Sequence, residues 1–437
     1  VKVLIIDQDG VGLSFAIRAH TAGHQVRWFI KPRPTNSKDI GKGFKGIEKV
    51  DNWVSSVSWA DLIFSTSNDD YIERLEFFAK KGAPVFAPTP ASAKLEISRK
   101  DGMKAMEAVG IECAPYMTFP TMQAAERHVI KTDERYVFKT LGDNEDKSLT
   151  YVSKSPADLV AWMRRTPPPK GEVMLQTFIK GIEMGVSRFM GSKGWVGQWN
   201  ESFEHKKLMP SNYGPNTGEM GTIAYFTKKS KLGEETLGKL EEKLLSLGHR
   251  GDTALGFMID EKGKPWPTEW TCRLGWPIAN MMLGATKGDP ISWMKDALDG
   301  KDTTTFSEDI GCCLILAHGD FPHGNFTKAE VSGVPIYGIT RGVQQHVHPQ
   351  AVQLMTLPDS GPDGKGIKER EMWATAGDYV AVITGYGANV RQAARRAYGT
   401  VDKLHVANPI VRDDVGEGLK DQLPALHAMG YAEHANY

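Results

Sequence analysis

The sequence predicts a multidomain chain of mixed α/β and α+β class, opening on an N-terminal doubly wound α/β domain, and three observations lead there. The chain has 437 residues, more than one core of roughly 150 residues accommodates, so about two to four domains are expected. Its opening segment alternates apolar runs with a glycine turn and a helical stretch, the rhythm of an open sheet wound with helices. Further along, strand-like runs follow one another with few helices between them, which suits α+β domains.

Taken in order, VKVLIID reads as a strand, QDGVG as a turn, and LSFAIRAHTAGHQVRWFI as a helix and a second strand. Apolar runs at 60–65 and 83–87 supply further strands, and this domain is expected to span 1–94. Gly10 and Gly12 lack the third glycine of a dinucleotide fingerprint, and RWFIKPRP is basic where an acidic residue is needed, which argues against a dinucleotide cofactor. Residues 91–109 read as one helix, and GIECAPYMTF as a turn leading to a helix at 122–130 and a strand at 136–139. Strands are expected at 149–152, 173–178, 184–190, 194–201, 254–259 and 266–271, with a helix at 234–247 and Pro167 to Pro169 in a surface turn. These elements make a central region at 95–305, with a small subdomain at about 115–182. The polar stretch 299–308 reads as a linker, and a mixed α+β domain is expected over 310–437.

Composition narrows the function. With 53 basic and 53 acidic side chains the formal charge is zero, which disfavours nucleic acid or an anionic membrane as a partner. No apolar run approaches the roughly 20 residues of a membrane span, and VKVLIID enters a strand without a leader, so a cytoplasmic protein is expected. Cys113, Cys272, Cys312 and Cys313 have neither CxxC spacing nor a disulfide pattern and are expected to be reduced and buried.

The central region combines spaced basic residues, an irregular glycine-containing loop and a late acidic strand, which together suit a polyphosphate held by cations and a metal. Lys139 ends the apolar strand YVFK, so it departs from the surface position that lysines usually take. In PTEWTCR, alternation puts Glu269, Thr271 and Arg273 on one face, a geometry suited to a metal; a Glu269–Arg273 salt bridge is the plainer reading. His205 reads either as a base or as a structural hydrogen-bonding residue.

Read in order, PVFAPTPASAKLEISRKDGMKAMEAVGI, YVFKTLGDNEDKSLTYV, VMLQTFIKGIEMGVSRFM, FEHKKLMPSNYGPNTGEMG and PTEWTCRLGWP resemble the ATP-grasp superfamily, and within it the phosphoribosylamine–glycine ligase family of purine synthesis. The resemblance runs from about residue 82 to the C-terminus, where GDYVAVITGYGANVRQAARRAYGTVDKL and VRDDVG look like the family's closing domain. It implies central ATP-grasp domains and an ATP-dependent ligase that joins a carboxylate to an amine through an acyl phosphate, releasing ADP and phosphate.

The resemblance also implies roles. ATP would be held by Lys139, Arg99 or Lys100, Lys147, Gln176, Thr177, Phe178, Glu183 and Arg188, and Mg2+ or Mn2+ by Glu269 and Thr271, with Asp260 and Glu219 as further candidates. Arg273, Lys206 and Asn216 would be catalytic; Gly10, Pro215, Asn216, Thr217, Gly218, Glu219, Met220, Arg273, Gly275 and Trp276 would meet substrate. Lys147 belongs to GDNEDKS, where Asp143, Glu145 and Asp146 would repel phosphate, so that loop is either an unusual lid or a solvated turn. Several motifs depart from the family. Glu219 replaces a glycine, Thr271 an asparagine, Trp276 and Ile278 two carboxylates, and DGVGLSF an N-terminal GGREHA turn. The phosphate machinery is kept better than the acceptor pocket, where the loss of two acids favours an apolar contact over a cationic one. Three readings follow: this ligase, acting on an amino acid such as glycine and an amine such as phosphoribosylamine; a related ligase with another amine or amino acid; or a catalytically weak nucleotide-binding homologue. A monomer or homodimer is expected.

Overall fold

The N-terminal sheet is buried on both faces because its strands are apolar runs without alternation, the pattern that parallel sheets require. In the computed structural model, which describes residues 1–32, 38–141, 149–360 and 366–437, Lys2–Asp7 lies at the centre of this five-stranded parallel sheet. Gln25–Ile30 and Ile47–Lys49 lie to one side of it, and Leu62–Ser65 and Val85–Phe86 to the other. Strand order therefore reverses beside the first strand, and helix Leu13–Thr21 starts directly behind the Gly10 turn.

The predicted helix 91–109 is two helices, Pro90–Ile97 and Arg99–Glu107. Ser98 breaks them: its backbone is extended and its side chain accepts from Asp101 N–H, capping the second helix. The predicted helix 234–247 is likewise interrupted, becoming Lys231–Glu235, a 3-10 turn at Leu237–Leu240, and Glu241–Ser246.

Residues 116–177 form a small sheet of four antiparallel strands, Tyr116–Phe119, Val173–Thr177, Tyr136–Thr140 and Tyr151–Val152 in spatial order. Helices Met122–Thr132 and Pro156–Arg165 are capped by Thr121 and Ser155. Their apolar faces join Tyr136, Phe138 and Leu175 in a core of its own.

The largest sheet has eight strands. From one edge run Pro265–Thr271, Gly251–Asp260, Gly181–Met190 and Trp195–Met209, followed by Tyr213–Thr227, Ile310–Ala317, Tyr379–Gly387 and Val347–Pro349. The strand expected at 194–201 is thus one arm of a hairpin of two 15-residue strands. GPNTGEMG, for which no element was expected, lies on the other arm, opposite the HKK segment. The sheet continues from the central region into the C-terminal one through Ile310–Ala317, whose Leu314 faces Gly221. Within the polar stretch 299–308, Phe306 is fully buried and stacks on Phe226 with ring centroids 3.9 Å apart. All four cysteines are buried free thiols. Among the described residues no helix is long and apolar enough to cross a membrane.

Candidate active site

Alternation places Glu183, Gly185 and Ser187 on one face of Gly181–Met190. Gly185 lies opposite both Ser202 and Gly256, and Gly256 lies opposite Glu269, so one row crosses four strands on a single face. A Cβ at Gly185 would lie 2.5 Å from Ser202 Oγ and one at Gly256 2.8 Å from Thr268 Oγ1. The two glycines keep the floor of a groove open.

Lys206 extends across this groove. Its ammonium contacts Glu269, lies 3.1 Å from Glu204 and 3.7 Å from Glu183, and so gathers carboxylates from three strands. Burial works against its charge, yet Glu204, Glu269 and Glu183 hold its pKa well above that of an ordinary lysine. Enclosure in the groove pushes Glu183 up, and Lys206 partly offsets this. Among the described residues no group of three or more His, Cys, Asp or Glu has the geometry of a ready-made metal cage. The carboxylates around Lys206 are hard oxygen donors of the kind a divalent cation takes, and the ammonium balances their charge.

Lys139 enters from the small sheet. It is buried, its Nζ donates to Thr268 carbonyl oxygen at 3.3 Å, and burial together with the nearby Arg99 charge lowers its pKa to about 7. Arg99 donates to Thr150 Oγ1 at 2.9 Å, while Lys100 is exposed beside it. Gln176 is buried on the neighbouring strand and its Nε2 donates to Ala114 carbonyl oxygen at 3.4 Å. Thr177 follows it, and the Arg135 guanidinium stacks 3.4 Å from the Phe178 ring centre. Arg188 is not brought to this group: alternation turns it to the opposite face from Glu183, where it lies over Trp199 and donates to Gly197 carbonyl oxygen at 3.0 Å. Lys147 and its loop, 142–148, lie outside the described residues.

The GPNTGEMG strand divides into two halves. Pro215, Asn216 and Gly218 are exposed, and Thr217 Oγ1 donates to Lys206 carbonyl oxygen at 2.9 Å, fixing the backbone that carries the lysine. Glu219 and Met220 are buried. Glu219 Oε1 accepts from His205 N–H at 2.7 Å, and burial next to Glu204 keeps its carboxyl pKa well above the usual range. Asp260, the other further candidate for a metal, caps its own hairpin turn: Oδ1 accepts from Lys262 and Lys264 N–H and Oδ2 from Trp266 Nε1. Asp260 is thus engaged away from the groove, while Glu219 lies beside Glu204 with Oε1 taken by backbone N–H. Burial and the Arg412 charge lower the His205 pKa to about 4, and its Nε2 lone pair accepts from Gly416 N–H at 3.2 Å.

At the other end, Arg273 Nε donates to Glu96 Oε1 at 3.1 Å, so its ion pair is with Glu96 and not with Glu269. Glu96 Oε2 accepts from Cys272 N–H and from Asn68 Nδ2, both at 2.7 Å. Glu96 was not expected at the site: it lies within PASAKLEISRK, but nothing there marks it out, and it stands 177 positions from Arg273. Thr271 ends its strand, two positions from Glu269. Gly275 N–H donates to buried Asp252 at 3.2 Å, and burial raises that carboxyl to about 7. Trp276 packs edge-on against Phe15, behind the Gly10 turn.

No family model matches the chain. A phosphoribosylamine–glycine ligase from Ralstonia nicotianae is 26% identical over 357 residues, covering 78% of this chain and 80% of its own. Among solved structures, a phosphoribosylamine–glycine ligase from Thermotoga maritima superposes with a TM-score of 0.69 at 20% identity, covering 95% of this chain and all of its own. A biotin carboxylase from Campylobacter jejuni, crystallised as a β-γ-ATP complex, gives a TM-score of 0.60 at 12% identity, covering 99% of this chain and 96% of its own.

Proposed function

From the premise that this chain has the ATP-grasp fold and is similar to phosphoribosylamine–glycine ligases over most of its length, we propose that it is an ATP-dependent carboxylate–amine ligase. The observation that carries the reading is the groove in which Lys206 is ringed by Glu183, Glu204 and Glu269 and faced by Lys139. In the proposed reaction the γ-phosphoryl of ATP passes to a carboxylate, an amine attacks the acyl phosphate, and an amide, ADP and phosphate result.

Each residue has a task that follows from its surroundings. Lys206, held protonated by its carboxylates, supplies fixed positive charge to the transferring phosphoryl group. Lys139 adds a second cation, charged once phosphate oxygens replace its dry surroundings. Gln176, Thr177 and Phe178 border the space for the base, and Glu183 offers a carboxylate to ribose hydroxyls. Magnesium, or manganese with the same oxygen preference, would be held by Glu269 with Glu183 and Glu204 nearby and would offset phosphate charge. Arg273, oriented by Glu96, faces the acyl phosphate from the acceptor side. The small sheet 116–177, which reaches the groove through Lys139, would limit water that hydrolyses the acyl phosphate.

The test is ADP release with Mg-ATP, glycine and a panel of amines, using glycine labelled in its carboxylate oxygens. Label arriving in the released phosphate is the expected result; ADP release without such transfer would sink the acyl phosphate. A ligase acting on another amine is the second reading, favoured by Trp276 and its apolar packing on Phe15.

A further inference from the structure

Doubly wound sheets take ligands in the crevice outside the strand carboxyl ends where strand order reverses, and the helix that follows offers its N–H groups to phosphate. Here the reversal lies between Lys2–Asp7 and Leu62–Ser65, and the turn after the first strand already holds an anion of its own. The Asp7 side chain folds back into it. Oδ1 accepts from the N–H groups of Asp9 at 3.2 Å, Gly10 at 2.8 Å and Val11 at 3.2 Å, and Oδ2 from Gly12 at 2.7 Å. Trp28 Nε1 and Thr66 Oγ1 donate to the same carboxylate at 3.2 and 3.1 Å. Asp7 is fully buried, and a Cβ at position 12 would lie 2.8 Å from Oδ2, so Gly12 is shaped around the carboxylate.

We propose that Asp7 is a specificity-determining residue, a built-in anion that fills the phosphate position of this turn, so that the amine joined by this protein carries no phosphate there. This rests on the ligase reading above. The rest of the crevice agrees with it. Asn68 is tied through Glu96 to Arg273, and Asp9 lies close enough to add to the negative field at that guanidinium. Asp69, on the loop beyond the strand Leu62–Ser65, has its carboxyl raised by burial and by Asp9 and Asp70. Lys31 is paired with Asp70 and Arg273 with Glu96, so what a phosphomonoester would meet in the turn is N–H groups already taken by Asp7.

Two measurements test this on the full chain. The first compares ADP release with ribosylamine and with phosphoribosylamine, and with ethanolamine and its phosphate ester. The unphosphorylated partner should be faster by about tenfold or more, because the N–H groups of the turn are already taken by the Asp7 carboxylate. The second follows the Gly10 and Gly12 amide resonances of glycine-labelled protein during titration with inorganic phosphate. They should stay fixed in the native protein and move in Asp7→Ser, whose N–H groups are released. Phosphoribosylamine turning over at least as fast as ribosylamine, phosphate shifting these amides in the native protein, or a folded Asp7→Ser that ignores phosphate would each overturn the proposal. Should Asp7→Ser fail to fold, the native titration decides alone. If no amine drives ADP release the ligase reading fails, and the phosphate titration still judges Asp7.

Discussion

Lys139 carries a pH dependence that can be worked out in sign. Burial beside Arg99 sets its pKa to about 7, and the phosphates of a nucleotide raise it by supplying opposite charge. Above pH 7 nucleotide binding should therefore take up close to one proton, with affinity falling by up to about tenfold per pH unit. Titration calorimetry in buffers of different ionisation enthalpy measures the uptake, and Lys139→Arg, charged throughout, should abolish it. Stability moves the other way. An unfolded lysine keeps its proton up to about pH 10.4, so from about 7 to there the unfolded chain binds more protons and stability rises with pH. Glu269 lends itself to a simpler test: it is exposed, so Glu269→Ala should fold normally, while ADP release at saturating magnesium should fall about 100-fold or more. An unchanged rate would falsify its role. Glu183, Lys206 and Glu269 were legible because each stands in a motif. Asp7 stands in none and Glu96 is unmarked within PASAKLEISRK, since the importance of both comes from partners that only the folded chain brings near.

The hairpin of Trp195–Met209 and Tyr213–Thr227 shows what an element conceals from its sequence. EHKKLM and GPNTGEMG lack apolar alternation, so neither reads as strand; the ladder between them, with His205 opposite Gly221 and Lys207 opposite Asn216, makes them so. The tip is held from elsewhere. Buried Arg412 donates to Lys207 carbonyl oxygen and to Asn212 Oδ1, each at 3.0 Å, and pairs with Asp414, whose Oδ2 accepts from Ser211 N–H at 2.7 Å. Arg412→Ala would leave Asp414 without its cation and the tip without its anchor. It should cost roughly 3–5 kcal/mol, as loss of one partner of a buried ion pair does. Urea unfolding reads the stability and ADP release the loss of register at Lys206. Lys2–Asp7 and Leu62–Ser65, by contrast, were legible to within a residue or two, because unbroken apolar runs leave few other choices, whereas the polar edge strand Ile47–Lys49 was not expected.

At the scale of the molecule, the eight-stranded sheet joins regions that composition separates. The stretch 299–308 reads as a linker because it is polar. Nothing in it reveals that Phe306 is buried or that Ile310–Ala317 will pair with the GPNTGEMG strand, since long-range pairing leaves no local mark. A chain ended at residue 309 would expose the edge of Tyr213–Thr227, a row of unpaired N–H and C=O groups over buried apolar residues. Such a truncation should be recovered mainly as aggregate and show no cooperative melt, whereas the full chain melts cooperatively; solubility and calorimetry compare them.

The Arg412 anchor also orders events in time. The Lys207 carbonyl oxygen leaves the ribosome 205 residues ahead of the guanidinium that binds it, a delay of roughly 10–40 s at ordinary rates of synthesis. The hairpin that carries Lys206 is therefore among the earlier pieces to be made and among the last to be locked. A nascent chain carries the Lys206 hairpin long before Arg412 arrives to fix its tip.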